Sequence, residues 1–113
     1  MTLLADLVAA SEQVAGTSAR SRKIATLADL LRRLDTEEVA IAVGFLSGVP
    51  RQGRVGVGYS TVYSVEAGPA GEPSLTLSDV DRAISDIQLA TGSGSSSRRK
   101  AILGDLFGRA TAP

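Results

Sequence analysis

The sequence GTSARSRKIATLADLLRRL, residues 16–34, carries the clearest helical pattern in this chain of 113 residues. Its apolar residues recur at i, i+3, i+7 and i+10, a spacing that places them on one side of a helix: Ile24, Leu27, Leu31 and Leu34. Thr17 or Ser18 stands where an N-cap is needed, because a short hydroxyl side chain can accept a backbone N–H of the first turn. The stretch therefore predicts an amphipathic helix over residues 18–34.

A second stretch, GSGSSSRRKAILGDLFGRA (residues 92–110), matches the first at eight of nineteen positions. Apolar positions would recur in any two amphipathic helices, but polar positions recur here as well: Arg22, Asp29 and Arg33 return as Arg98, Asp105 and Arg109. Such recurrence indicates two copies of one structural unit. In each copy the aspartate and the second arginine also have the i,i+4 spacing of a helical ion pair.

The predicted fold class is all-α, a small helical domain with two repeats related by a pseudo-twofold axis. The chain, 1–113, is interpreted as one partial domain, with repeat one at about 16–66 and a truncated repeat two at about 92–113. The second copy of the helix is followed by only three residues, so its apolar side lacks the partner helix of the first copy unless other parts of the domain cover it. An uncovered face would favour self-association of the chain.

Three other helices follow from periodicity and capping, and one further segment is ambiguous. The helices are predicted at 2–15, at 36–48 with Thr36 as the cap, and from Ser78, with Asp81 three positions on, to a stop at Gly92. Segment 59–65 is rich in β-branched residues, so a short helix and a strand both stay open. AGPAGEPS, residues 67–74, is a connector without periodicity.

The chain contains no cysteine and no histidine, which removes thiol nucleophiles, disulfides, most zinc sites and the usual proton shuttle at neutral pH. We therefore expect neither a catalytic residue nor a metal site in it. No apolar run approaches the length of a membrane span, and the first residues carry Asp6 instead of the basic start of a signal peptide. The sequence favours an intracellular, cytoplasmic domain with no membrane partner.

Charge is unevenly distributed along the chain, although its formal net charge is zero. Eleven of the twelve lysines and arginines fall in three short segments: 20–33, 51–54 and 98–109. Those segments hold only two acids, Asp29 and Asp105, whereas the other ten acids lie elsewhere with a single base, Arg82. A neutral total can therefore hide a basic face and an acidic face.

The middle basic segment lies in FLSGVPRQGRVGVGYSTV, residues 45–62, and two interpretations of it stay open. In one, the glycines form only a helix stop and a tight turn, while Arg51 and Arg54 are solvated. In the other, backbone N–H groups around Gly56 and Gly58 form a nest for a phosphate, flanked by the two arginines. A dinucleotide-binding fingerprint is disfavoured, because Thr61 stands in place of its third glycine.

Both copies of the repeated helix begin with hydroxyl groups, exposed amides and basic side chains. These are the groups that hold a duplex backbone without reading bases. The first start offers Thr17, Ser18, Arg20 and Lys23, and the second offers Ser93, Ser95, Ser96, Arg98 and Arg99. Capping and phosphate binding are compatible at both positions.

Three motifs together resemble a known family: TSARSRK before an amphipathic helix, FLSGxxxQGRVGVG, and GSGSSSRRKAILGDLF. They are similar to the N-terminal, all-helical DNA-binding domain of ATP-dependent DNA ligases, most closely of the actinobacterial type. The resemblance covers nearly the whole chain. It implies a pseudo-twofold helical module that grips duplex or nicked DNA across the minor groove through backbone phosphates, without sequence preference.

The resemblance also implies contacts at both helix starts, including Gly94, and in the glycine loop. Together with the residues argued above, the predicted phosphate-binding set is Thr17, Ser18, Arg20, Lys23, Arg51, Arg54, Gly56, Gly58, Gly94, Ser95, Arg98 and Arg99. It further implies partner domains in the same polypeptide, an adenylylation domain and an OB-fold domain. With ATP and Mg²⁺, the longer protein would seal nicks in DNA repair, replication and recombination.

The family's covalent chemistry needs a Lys-x-Asp-Gly motif, and neither lysine of this chain lies in one. Lys23 is followed by Ile-Ala-Thr, and Lys100 by Ala-Ile-Leu. The chain is therefore expected to bind DNA without catalysing ligation, and to hold no cofactor itself. The alternative is a helical protein-interaction module whose basic faces contact an acidic partner and whose glycines are only turns.

Overall fold

The structure is a computed structural model that describes residues 1–53, 55, 57 and 59–112. Within these residues six α-helices follow one another: α1 (Leu4–Ala15), α2 (Arg20–Arg32), α3 (Val39–Ser47), α4 (Tyr59–Ser64), α5 (Leu77–Leu89) and α6 (Ser95–Arg109). A 3-10 turn, Thr36–Glu38, leads into α3. The described residues contain no β-strand, only two isolated bridges, Leu3–Thr76 and Ala70–Thr111. The all-α class is confirmed, and the ambiguous fourth segment is a helix.

The starts of α2 and of the 3-10 turn differ from the prediction by one or two residues. α2 begins after Ala19, whose side chain cannot cap, and not after Thr17 or Ser18. The 3-10 turn is capped by Asp35 and not by Thr36. Asp35 prevails because it forms a capping box with Glu38, whose carboxylate accepts the Asp35 backbone N–H at 2.9 Å.

The N-cap of α5, Thr76, lies two residues before the predicted one. Its capping box joins Thr76 and Asp79, whereas the sequence predicted Ser78 and Asp81. Both pairs have the spacing of a capping box, so the sequence alone cannot choose between them. Tertiary packing chooses, because Leu77 is fully buried in the core when the helix begins there. Asp81 therefore does not cap the helix, and its carboxylate accepts hydrogen bonds from Arg51 and Gln52 instead.

One hydrophobic cluster joins α1, α2, α3 and the start of α5: Leu7, Ala10, Leu30, Ile41, Ala42 and Leu77. The buried face of α2 differs from the predicted stripe. Leu30 is fully buried, whereas Ile24 and Leu31, both predicted to face the core, are 57% and 38% exposed. α2 contacts α1 with Leu27, Leu30 and Leu34 at least partly buried, a set that also has helical spacing.

α6 contacts both α5 and α4. Leu103 is buried, and the other apolar residues of that side are partly buried: Ile102, Leu106 and Phe107. The face that the sequence left without a partner helix is therefore covered in part by α4 and α5. Self-association, the pseudo-twofold relation and the repeat boundaries stay predictions. None of the described helices is long and apolar enough to cross a membrane.

Candidate nucleic-acid interface

The start of α2 exposes basic side chains beside an uncapped helix terminus. Ala19, the N-cap residue, makes no side-chain cap hydrogen bond, and the first turn contains no acid. The Thr17 hydroxyl oxygen accepts the N–H of Ala19 at 3.2 Å. Arg20 is exposed and Lys23 is partly buried. This terminus therefore combines free backbone N–H groups of a first turn with positive side chains, which is the chemistry of an anion site.

The start of α6 also exposes basic side chains beside a terminus without a capping side chain, but its N-cap residue is a glycine. Gly94 takes φ +81°, a left-handed conformation that favours glycine, and makes no side-chain cap hydrogen bond. The first turn again contains no acid. Ser95 is partly buried and Arg98 is exposed. Arg99 lies closer to the fold, because its Nη2 donates to the carbonyl oxygen of Ala90 at 2.8 Å.

The starts of the 3-10 turn and of α5 carry carboxylates instead. Glu38, 2% exposed, accepts the N–H of Thr2 at 2.8 Å, the Thr2 hydroxyl at 2.9 Å and the N–H of Asp35 at 2.9 Å. Burial raises the pKa of Glu38, but these hydrogen bonds lower the pKa by more than burial raises it, so the net shift is downward. Asp79 likewise occupies the start of α5. The starts of α2 and α6 therefore differ from these in both capping and charge.

Arg51 makes a bidentate ion pair with Asp81 of α5. Its Nε donates to Oδ1 at 3.0 Å and its Nη2 donates to Oδ2 at 2.9 Å. Nη2 also lies 3.3 Å from the Ser85 hydroxyl oxygen. The hydrogen bond from Arg51 is the main cause that lowers the pKa of the Asp81 carboxyl. Arg51 is thus neither the merely solvated side chain of one interpretation nor an isolated cation, because α5 holds it.

Gln52 reinforces this link between the loop and α5. Its Nε2 donates to the carbonyl oxygen and to Oδ1 of Asp81, both at 2.9 Å, and to the Ser85 hydroxyl oxygen at 2.7 Å. Gln88 Nε2 in turn donates to the backbone carbonyl of Gln52 at 3.0 Å. Sequence reasoning missed this network. Its signal was the i, i+4, i+7 spacing of Asp81, Ser85 and Gln88, which gives α5 one polar stripe.

The turn after α3 directs the loop towards α5. Gly48 has φ +83° and its N–H donates to the Phe45 carbonyl, while the Val49 N–H donates to the Gly44 carbonyl at 2.9 Å. This pair of bonds is a Schellman motif, for which a left-handed glycine is suited. The predicted helix stop at Gly48 is therefore confirmed. The predicted contacts at Arg54, Gly56 and Gly58 lie outside the described residues.

Two ion pairs join arginines of the basic segments to acids of α5, which lie far from them in the sequence. Arg109 pairs with Asp79 of α5, Nη2 to Oδ2 at 3.1 Å, and not with Asp105 as its i,i+4 spacing predicted. The equivalent pair in α2, Asp29 with Arg33, is present at 3.6 Å. Among the described residues, seven basic side chains form no ion pair: Arg20, Arg22, Lys23, Arg32, Arg82, Arg98 and Lys100. Four of the seven, Arg20, Arg22, Lys23 and Arg98, lie in the first turns of α2 and α6, so positive charge without an ion pair is found at both helix starts.

No protein-family model and no solved structure matches the chain. Curated relatives do match it, among them probable DNA ligases of three bacteria. The protein of Saccharopolyspora erythraea is 46% identical over 112 residues, which are 99% of this chain and 22% of the relative. The protein of Mycolicibacterium gilvum is 48% identical over 109 residues, 96% of this chain and 21% of the relative. The protein of Sorangium cellulosum is 47% identical over 111 residues, with the same two shares.

The chain spans about a fifth of the length of the curated relatives it matches. The match covers almost every residue of the chain itself, including all three basic segments. The chain is therefore related to the DNA ligases.

Proposed function

We propose that the chain binds duplex or nicked DNA through its backbone phosphates, without sequence preference, as the N-terminal domain of an ATP-dependent DNA ligase. One observation carries the proposal. α2 and α6 both begin with basic side chains, without a capping side chain and without an acid in the first turn, whereas α1 and the 3-10 turn that leads into α3 have acids in their first turns and α5 has both a cap and an acid. The names of the relatives support DNA as the ligand.

The arrangement is unfavourable for stability and favourable for binding a phosphate. A cation near a helix N-terminus is repelled by the positive end of the helix dipole, by about 0.3–1 kcal/mol at an exposed site. Arg20 and Lys23 at the start of α2 carry this cost in the absence of DNA. A phosphate oxygen would reverse it, because it can accept from the free N–H groups and neutralise the basic side chains. Such contacts position a duplex without reading its sequence.

The remaining chemistry is assigned to other parts of a longer polypeptide. The Lys-x-Asp-Gly motif is absent around Lys23 and Lys100, so adenylylation would take place on a separate catalytic domain, with ATP and Mg²⁺. In this proposal the chain supplies the grip on nicked duplex during repair, replication and recombination in the cytoplasm. The proposed phosphate contacts are those at the starts of α2 and α6 and in the loop after α3.

Salt dependence of duplex binding tests the proposal. Fluorescence anisotropy with labelled duplexes of unrelated sequence should give similar affinities, and log affinity should fall linearly with log salt concentration. A variant carrying Arg20→Ala and Lys23→Ala should lower the magnitude of this slope by about 1.8, since each phosphate contact contributes about 0.9. Arg82→Ala is the matched control, because it removes an exposed base of α5 outside the proposed contacts.

Absence of duplex binding at low salt would overturn the proposal and favour the protein-interaction module. Ile24, Val43 and Val49 are 57%, 48% and 62% exposed and would then be the first residues to test against a protein partner. A loss of affinity that depends on the duplex sequence would also contradict the proposal, because it would mean that the basic side chains read base edges.

A further inference from the structure

Among the described residues, only one edge of the Arg51 guanidinium has partners, and the other is open. Nε and Nη2 bind the two carboxylate oxygens of Asp81. Nη1, with two N–H groups, makes no hydrogen bond to any described residue. The two sides of the pair also differ in access, because the Arg51 side chain is 50% exposed and the Asp81 side chain only 14%. An anion that approaches this pair therefore meets the arginine before the carboxylate.

The carboxylate that holds Arg51 is itself fixed. Asp81 lies in the first half of α5, and its Oδ1 also accepts from Gln52 at 2.9 Å. Ser85, one turn later on the same helix, accepts from Gln52 and lies against Arg51. An arginine normally loses rotamer freedom when it binds a phosphate. Here part of that freedom is already lost in the absence of ligand, which is preorganisation.

We infer that Asp81 is a positioning residue that orients Arg51 so that the open edge of its guanidinium receives a DNA phosphate. The inference rests on the proposed function, since it assigns a phosphodiester as the ligand of Arg51. Asp81 itself does not contact DNA in this account. In the opposite role, Asp81 competes with the phosphate: it neutralises Arg51, and the phosphate must displace Asp81 from the guanidinium. The two roles predict opposite signs for removal of the Asp81 charge.

The test is a double-mutant cycle on duplex affinity at constant salt, with the thermal midpoint of each variant measured in parallel. Asp81→Asn should weaken duplex affinity by about fivefold, because the cost of ordering Arg51 then falls on binding. Asp86→Asn removes the same charge from the same helix at an exposed position and should bind at least as tightly as the unaltered chain. In the Arg51→Ala background, Asp81→Asn should change affinity by less than about twofold.

Each outcome supports or overturns the inference. If Asp81→Asn binds as tightly as the unaltered chain or more tightly, Asp81 is a competitor or a bystander, and the positioning role is wrong while the proposed function stands. If Asp81→Asn weakens binding equally with and without Arg51, it acts through the fold, and the inference is wrong. If the unaltered chain binds no duplex at low salt, the proposed function and this inference fail together.

Discussion

Gly44 allows the loop after α3, which carries Arg51, to pack closely against that helix. It is buried in the middle of α3, where glycine is otherwise unfavourable. A Cβ at this position would lie 2.8 Å from the backbone oxygen of Val49 and 3.3 Å from the backbone nitrogen of Arg51. Only a residue without a side chain lets the loop fold back so closely on α3. Gly44 therefore supports the site without belonging to it.

Gly44→Ala should destabilise the fold by about 1–3 kcal/mol, the usual cost of forcing a methyl group into a packed site. The gain in helix propensity, up to about 1 kcal/mol, acts in the opposite direction but is smaller. The matched control is Gly104→Ala in α6, where an added Cβ meets no atom within 4 Å, so that variant should be stabilised. Chemical denaturation of both variants checks the prediction. Equal effects of the two substitutions would show that the loop yields without cost.

Glu38 is a buried carboxylate whose ionised form contributes to the stability of the fold. Its pKa is below the ordinary value of 4.5 in the folded chain. The ionised carboxylate therefore stabilises the fold fully above pH 4.5, and this contribution is lost as pH falls through the lower, folded pKa. Glu38→Gln should cost about 1–3 kcal/mol near neutral pH, because an amide N–H₂ would face a donor at this site.

The same variant should lose less stability than the unaltered chain when pH is lowered from about 5 to about 3, since the titrating group is gone. Denaturation midpoints across this range measure the difference. Asp79 and Asp81 also have lowered pKa values and stay in both proteins, so some acid loss should remain. Parallel pH profiles for the two proteins would mean that Glu38 does not titrate with folding.

At the scale of elements, the sequence predicted which segments are helical better than where they begin and which side is buried. Helix existence follows from apolar spacing, which is local information. The predicted N-cap of α5 was wrong because Thr76–Asp79 and Ser78–Asp81 have the same spacing. The predicted buried side of α2 was wrong because Leu30 and Leu31 are neighbours, and only contact with α1 selects Leu30 for the core. Both errors arise where two local patterns are equivalent and tertiary packing decides.

The uncapped start of α2 predicts a conflict between stability and binding. Ala19→Asp should stabilise the fold by about 0.5–2 kcal/mol, because an aspartate at the N-cap accepts first-turn N–H groups and favours the helix dipole. It should also weaken duplex binding, with loss of about 0.9 from the salt slope if one phosphate contact disappears. Ala19→Asn caps without the charge and should lose less affinity. A stabilised Ala19→Asp variant with unchanged affinity and slope would argue against phosphate binding at this helix start.

The whole molecule is elongated, with extents of 50 × 27 × 25 Å and a radius of gyration of 15.2 Å. A compact domain of this length would have a radius of about 13 Å. α5 connects the two ends, since its start lies in the core with α1 to α3 and it also packs on α6. The same helix binds Arg51 and Arg109 through Asp81 and Asp79. α5 is therefore both the structural bridge and the source of the acids that neutralise part of the basic surface.

This pairing explains how far the candidate site could be predicted from the sequence. The starts of α2 and α6 are predicted as phosphate sites because their basic residues and hydroxyls are adjacent in the chain. The Asp81–Arg51 pair joins positions thirty residues apart, and no local pattern specifies that contact. The sequence consequently predicted a basic loop, whereas the structure shows the loop residue Arg51 paired with Asp81 of α5.

Phosphate binding at the starts of α2 and α6 can be tested by amide chemical-shift perturbation on addition of a short mixed-sequence duplex, because this measurement reports on individual backbone N–H groups. We expect the largest shifts at Arg20–Lys23 and Ser95–Arg99, in and next to the first turns of α2 and α6. The shifts should diminish as salt is added, as expected for contacts with phosphates. Perturbations confined to the exposed side of α3, around Val39 and Val43, or no perturbation at low salt, would contradict phosphate binding at the two helix starts.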